Sequence, residues 1–444
     1  MKKRFMFMLA AAALIAVAAV YTATFFLPFN ERDGEQEAVK MHSGKIELSF
    51  WRNYGNAAEN KAYNKLIENF EKDHPNISVK KQYISYDDYE LRLRTEFATG
   101  TPPDVMAIDS PNLGLYANNG SLMPIGSFME KEGDIGDIPP ATLKGLSYKG
   151  ELYLAPMVES GVALYYNKHL FKAAGLSYPS SNPDHPLTWD EVLNIARKLT
   201  DTKKGVYGID PAQGFAGGEA PAYFKMPLLW QFGGRVLSPD GSTASGYLDS
   251  EESLAALQFY QDLYKKYKVS KVELPPRAFE TNKLAMCLLG SWALADLKNN
   301  PDFKLGKDFG VAPVPKAKYQ AVPNGGWAIG ISSKTQHPEE ARKFLKYLTG
   351  YEGMKTYVEL TGDIPARYSV ARDFPEFEQY PKNIFVRQVQ KYSANRPVTP
   401  AYPVVSEAIK ILFEETGIEG RNVKDAAKEA AEKINRGINA VQEP

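Results

Sequence analysis

Cysteine is almost absent from this chain of 444 residues. The single one, Cys287, precludes an intrachain disulfide, a CxxC redox motif and a cysteine-rich metal site. Histidine is scarce as well. The five, at 42, 74, 169, 185 and 337, include three that precede proline and none spaced as HExxH or at i, i+4, so no metal site is expected. Net charge is missing too: 53 Lys+Arg balance 53 Asp+Glu, without the basic stripe of a nucleic-acid binder. No P-loop, GxGxxG or GxSxG occurs, and no cofactor is expected. The string Gly214-Phe215-Ala216-Gly217-Gly218 has the wrong spacing for a phosphate loop and reads as a mobile loop. No repeat of 20–50 residues is found, which sets aside a solenoid. Low-complexity disorder is excluded, since 44% hydrophobic and 12% aromatic residues can fill a core. A carboxylate pair for glycoside cleavage stays open, because such residues come from distant positions.

What is present begins with an address. Lys2, Lys3 and Arg4 precede an apolar run over 5–29 interrupted only by Thr22 and Thr24, followed by a polar stretch over 30–44 that reads as a tether. As a helix the run would reach ~37 Å, more than the ~30 Å hydrocarbon core, which suits an uncleaved anchor with its basic end inside. Small residues around Val17-Ala18-Ala19 suit cleavage instead. Either way residues beyond 44 are expected outside the cytoplasmic membrane, and with no cysteine here the chain is not a lipoprotein.

The length suggests two or three domains. A period-two run opens at Lys45 (Lys-Ile-Glu-Leu-Ser-Phe-Trp) and predicts a strand. An amphipathic helix follows over 57–72, stopped by His74-Pro75, then a strand over 77–83, a helix over 86–99 and a strand over 105–108. This order indicates βαβ units, a largely parallel sheet and a ligand beyond the carboxyl ends of its strands. Leu164-Tyr165-Tyr166 reads as a strand whose tyrosines alternate faces, so at most one faces a cleft. Thr188 and Glu191 form a predicted capping box, and 253–267, 338–349 and 422–441 predict further helices. Cys287, in an apolar strand, reads as buried and inert.

Aromatics stand at junctions. Trp51 ends the first strand, Trp292 follows Gly290-Ser291, Trp327 follows Gly325-Gly326, and Trp230 sits in Leu228-Leu229-Trp230-Gln231-Phe232; only Trp189, at a helix start, reads as structural. Flat rings can stack on the apolar C–H face of a sugar while carboxylates and amides fix its hydroxyls. The competing reading is that each indole is core.

The chain resembles the extracellular solute-binding proteins of ABC importers, in the carbohydrate-binding family that includes maltodextrin-binding protein. The resemblance is carried in order by Phe50-Trp51, Gly100-Thr101-Pro102-Pro103-Asp104-Val105, Tyr116-Ala117-Asn118-Asn119-Gly120-Ser121-Leu122, Tyr153-Leu154-Ala155-Pro156, Leu164-Tyr165-Tyr166-Asn167-Lys168, Thr188-Trp189-Asp190-Glu191, Gly290-Ser291-Trp292, Gly325-Gly326-Trp327 and Ile364-Pro365-Ala366-Arg367. It implies an α/β, two-lobed periplasmic-binding-protein-like fold with a hinge and a ligand cleft between the lobes. By likeness 45–160 with 326–364 form one lobe, 161–325 with 365–441 the other, after the 1–44 address, with crossings near 157–163, 321–328 and 361–370. The implied ligand contacts are Trp51, Asp109, Glu159, Tyr223, Trp230, Trp292, Trp327, Arg367 and Tyr402. The implied activity is capture of an oligosaccharide or related sugar for a membrane permease by a monomeric binding protein, not an enzyme. An exported carbohydrate-active enzyme and a tethered sugar sensor are the alternatives.

Overall fold

A computed structural model describes residues 44–212, 217–298, 300–323 and 325–441. The expectations for the apolar run, for nearly all of its tether and for residues 214–216 therefore lie outside the described residues. Alternation builds the first strand, β1 (Ile46–Asn53): Leu48, Phe50 and Arg52 are buried, while Ser49 and Trp51 are partly exposed. Asn56 accepts from the Glu59 N–H (2.9 Å) and starts α1 (Ala57–Asp73). This helix lays Ala62, Tyr63, Leu66, Ile67 and Phe70 on the sheet. Next come β2 (Ile77–Ile84), α2 (Tyr86–Thr99) and β3 (Val105–Asp109), the last buried throughout. After β4 (Leu154–Pro156) the chain leaves this layer through 158–159.

The second layer holds β5 (Val162–Asn167), α3 (Trp189–Leu199), β6 (Tyr207–Asp210), α4 (Ala220–Phe232), β7 (Leu284–Gly290), α5 (Ala293–Lys298) and β8 (Phe309–Ala312). The chain then returns to the first layer as β9 (Trp327–Ile331). The first sheet runs β2-β1-β3-β9-β4 and the second β8-β5-β7-β6. β1 pairs in parallel with β2 and β3, but β9 is antiparallel to β3 and β4. The largely parallel sheet expected from the sequence is thus mixed. β3 runs toward the edge where the layers meet; the chain re-enters from that edge, so β9 must run away from it. The same register sets Trp327 opposite Asp109.

Three apolar clusters follow from these layers. One gathers β1, β2, β3, β4, β9 and α1 with Phe344 and Leu348. Another packs Val162, Leu164 and Tyr166 under α3 and α4, with the helices Tyr402–Phe413 and Val423–Ala440 behind. The third covers the opposite face of the second sheet, with Ala163, Tyr165 and Cys287 against Met354, Val358 and Phe385. Tyr165 and Tyr166 therefore go to different cores, as strand alternation requires, and neither lines the crevice between the layers. Burial pushes the Cys287 thiol well above its usual range, away from reactivity. Helix Tyr351–Thr361 joins the clusters, giving Tyr357 to the first and Met354 and Val358 to the third. Val158–Glu159 and Ile364–Pro365 pair antiparallel, so two of the passages between layers lie side by side. The two-lobed α/β architecture expected from the sequence is present.

Candidate functional site

Between the lobes lies a cavity of about 380 Å³. One wall is built by the ends of β1, β3 and β9. Trp327 packs edge-on against Tyr89 (5.5 Å between centroids) and Tyr86 (6.2 Å), which holds its indole at the crevice. The facing wall comes from α4 and the turn into α5. Tyr223 and Phe224 pack against Trp292 at 6.0 and 6.2 Å. Aromatic faces from separate cores therefore border one volume, a geometry suited to a ligand with an apolar face.

Polar groups sit between these rings. Arg396 donates to Asp109 at the end of β3 (2.9 Å) and to Glu219 at the start of α4 (2.7 Å), and lies over the Tyr223 ring at 5.1 Å. Glu219 also accepts from the hydroxyls of Tyr402 and Ser406. Burial raises the Glu219 carboxyl above the usual range, opposed by the Arg396 charge. The bridge joins the lobes, since Asp109 and Glu219 belong to different sheets' layers. The lobes also touch where the Tyr86 hydroxyl accepts from the Glu219 backbone N–H. Gly218 has φ of +55°, and a Cβ there would stand 2.4 Å from the Tyr86 ring, so a side chain would push the lobes apart.

At the hinge, Glu159 is buried and accepts from the Thr142 hydroxyl and the Gly325 N–H; burial dominates and raises its carboxyl above the ordinary range. The Ser160 hydroxyl donates to the Gly325 carbonyl and lies 2.9 Å from the Tyr223 hydroxyl. Elsewhere along the crevice Arg52 pairs with Glu59 (3.2 Å) and stacks on Tyr63 (4.1 Å). Asp363 and Asp296 line the same cavity. Burial first, then the Glu59 charge, push the Asp363 carboxyl up to about 7. Burial raises Glu59 and Asp296 as well, and Asp296 adds to the rise at Glu59.

Of the nine residues proposed from the sequence, Asp109, Glu159, Tyr223, Trp292 and Trp327 line this cavity. The other four do not. Trp51 points from the opposite face of β1, under the Arg92 guanidinium at 5.1 Å. Trp230 borders a separate hollow with Gly233, Tyr319 and Thr399. Arg367 is buried and donates to the carbonyls of Thr349 (2.6 Å) and Gly133 (2.7 Å), so its charge is spent on the fold. Tyr402 is buried behind Glu219 and reaches the crevice only through that carboxylate. Sequence reasoning passed over Arg52, Asn53, Glu59, Asp296, Asp363 and Arg396. A signal existed for Arg52, because period two puts residues 51 and 52 on opposite faces, and a charged residue in phase with Leu48 and Phe50 needs a polar opening. The approach of Asp363 and Arg396 to the crevice has no local signal.

Among the described residues no group of carboxylates, histidines and cysteine is arranged to hold a metal ion. No described helix is long and apolar enough to cross a membrane.

Comparison with known proteins places these features. The family described as bacterial extracellular solute-binding protein matches residues 54–355. The multiple sugar-binding protein of Streptococcus mutans is 26% identical over 70% of this chain and 73% of its own length. The maltodextrin-binding protein of Bacillus subtilis is 24% identical over 86% and 87%. Among solved structures, an ABC transporter solute-binding protein from Thermotoga lettingae bound with alpha-D-tagatose is 30% identical, with a TM-score of 0.77 over 88% of this chain and 99% of that one.

Proposed function

Because the chain belongs to the bacterial extracellular solute-binding protein family, we propose that it captures an oligosaccharide or related sugar in the crevice between its lobes and delivers it to the membrane permease of an ABC importer. The extracytoplasmic solute-binding role follows from the family; the ligand contacts are this proposal's own. One observation carries it: Trp327 from one lobe, and Trp292 with Tyr223 from the other, border a cavity of about 380 Å³ that also contains buried carboxylates and guanidinium groups. The rings cover the C–H faces of a pyranose, and Asp109, Glu159, Asp296 and Arg396 meet its hydroxyls. Exclusion of water strengthens each of those hydrogen bonds. Binding at both walls favours the closed arrangement of the lobes, since only there do both walls touch one ligand.

The chain acts by binding alone, as a monomer, and performs no bond cleavage in this reading. Calorimetric titration with mono- and oligosaccharides tests it. Saturable 1:1 binding without release of reducing ends supports the proposal. Turnover of an oligosaccharide, or no binding across neutral and charged sugars, overturns it.

A further inference from the structure

At the hinge end of the crevice the supply of protons fixes the direction of each hydrogen bond. Ser160, Tyr223 and Gly325 line the cavity together there. The Gly325 peptide is gripped on both sides by consecutive residues of the neighbouring passage. Its N–H donates to the Glu159 carboxylate, and its carbonyl accepts from the Ser160 hydroxyl. Gly325 has φ of +100°, and a Cβ there would stand 2.8 Å from the Ser110 Oγ, so the turn that presents this peptide calls for glycine. A carbonyl has no proton to give. The bond between Ser160 and Gly325 therefore uses the one proton that the Ser160 hydroxyl carries.

The same Ser160 Oγ lies 2.9 Å from the Tyr223 Oη. With its own proton committed, Ser160 can only accept in this second bond, so Tyr223 donates. A phenol also carries a single proton. What the Tyr223 oxygen offers a further partner is lone pairs, and among the described residues no donor reaches it.

We propose that Tyr223 determines specificity as a hydrogen-bond acceptor, and that Ser160 is the positioning residue that holds its proton. The sugar unit at the hinge then has to present a free hydroxyl to Tyr223, as a donor. The inference deepens the sugar-binding reading and rests on it. An O-alkylated or O-acylated oxygen in that place sets lone pairs against lone pairs, and a missing hydroxyl leaves the acceptor unmet in a water-poor site. The substrate class is thus a sugar left unblocked at the position facing Tyr223.

The test is calorimetric, on the full chain. The probes are maltose, cellobiose and mannobiose, each with its monodeoxy and monodeoxyfluoro analogues. Fluorine is close to a hydroxyl in size and cannot donate. The position facing Tyr223 is the one where the advantage of hydroxyl over deoxy, about tenfold in the parent, falls to about twofold or less in Tyr223→Phe. At that position the fluoro form should bind the parent no better than the deoxy form. Ser160→Ala releases the Tyr223 proton toward the crevice, and the fluoro form should then bind about threefold tighter than the deoxy form. Ser160→Thr keeps a hydroxyl and should restore the parent ranking. Mere loosening of the hinge would weaken all probes alike and leave these ratios where they were. A parent that prefers fluoro to deoxy at that position, a ratio unmoved by Ser160→Ala, or no position that responds to Tyr223→Phe overturns the acceptor assignment and leaves the sugar-binding reading standing. Failure of every probe, with an intact thermal transition, overturns both.

Discussion

Replacing Arg396 by methionine removes the only described cation between Asp109 and Glu219 while keeping most of the side-chain volume. Arg396 is 4% exposed, and its two carboxylate partners are 7% and 8% exposed. Two nearly dry carboxylates would then face each other without a cation. Breaking a buried pair by removing one member costs about 3–5 kcal/mol. Unfolding entropy near 2.1 cal/mol/K per residue gives about 0.8 kcal/mol/K for roughly 400 residues, so the melting temperature should fall by about 4–6 °C. The sign with pH follows from the carboxylates. Burial already raises the Glu219 carboxyl, and without the guanidinium it rises further above its unfolded value, so it favours the folded state while protonated and loses that contribution as pH rises through its folded pKa. The deficit should therefore be larger at pH 8 than at pH 5. Scanning calorimetry on the ligand-free protein measures it. Adding Asp109→Asn and Glu219→Gln to the methionine variant should recover much of the loss, because no unpaired charge then remains buried. A fall below about 1 °C, a deficit that does not grow with pH, or a triple variant no more stable than Arg396→Met would refute the reasoning.

Other expectations follow from the same placement. Trp51→Ala should cost more than the ~0.5–1 kcal/mol of the lost contact with Arg92, because the partly buried indole also packs against the first apolar cluster, a loss visible in chemical denaturation with sugar affinity unchanged; a large loss of affinity would return Trp51 to the crevice. Arg367→Met should destabilise by about 3 kcal/mol or more, since the carbonyls of Thr349 and Gly133 lose a charged donor inside the protein, again with affinity preserved once folded. Asp363, its carboxyl raised to about 7, contributes stability while protonated and loses it as pH rises through that value. Asp363→Asn should thus melt higher relative to the parent at pH 8 than at pH 5, and equal differences at both would contradict the burial argument.

The local pattern of the chain proved readable where one physical cause dominates. Period-two and 3.6-residue alternation located β1, α1, β2, α2 and β3 within two residues. The Thr188–Glu191 capping box is formed as its spacing demands, and Asn167 caps the short helix after β5. Direction in the sheet was not readable, because β9 takes its antiparallel sense from where the chain re-enters the lobe rather than from any residue within it. The crevice was legible through its indoles at Gly-rich junctions, Trp292 and Trp327. Trp51 does not border it, because ending a strand does not turn a side chain toward the crevice, and the next residue, Arg52, has the inward phase. Arg396 joins Asp109 and Glu219 over 287 and 177 residues of sequence, and no local pattern encodes such a meeting.

The central claim is that rings from opposite lobes close on one sugar. Its most direct measurement is the affinity of the tightest-binding saccharide for the parent, for Trp292→Ala, for Trp327→Ala and for the double variant. Each single change should weaken binding by about tenfold, and the double variant should lose more than either alone. Undiminished affinity in the double variant, with the fold intact by calorimetry, would place the ligand elsewhere and contradict the account.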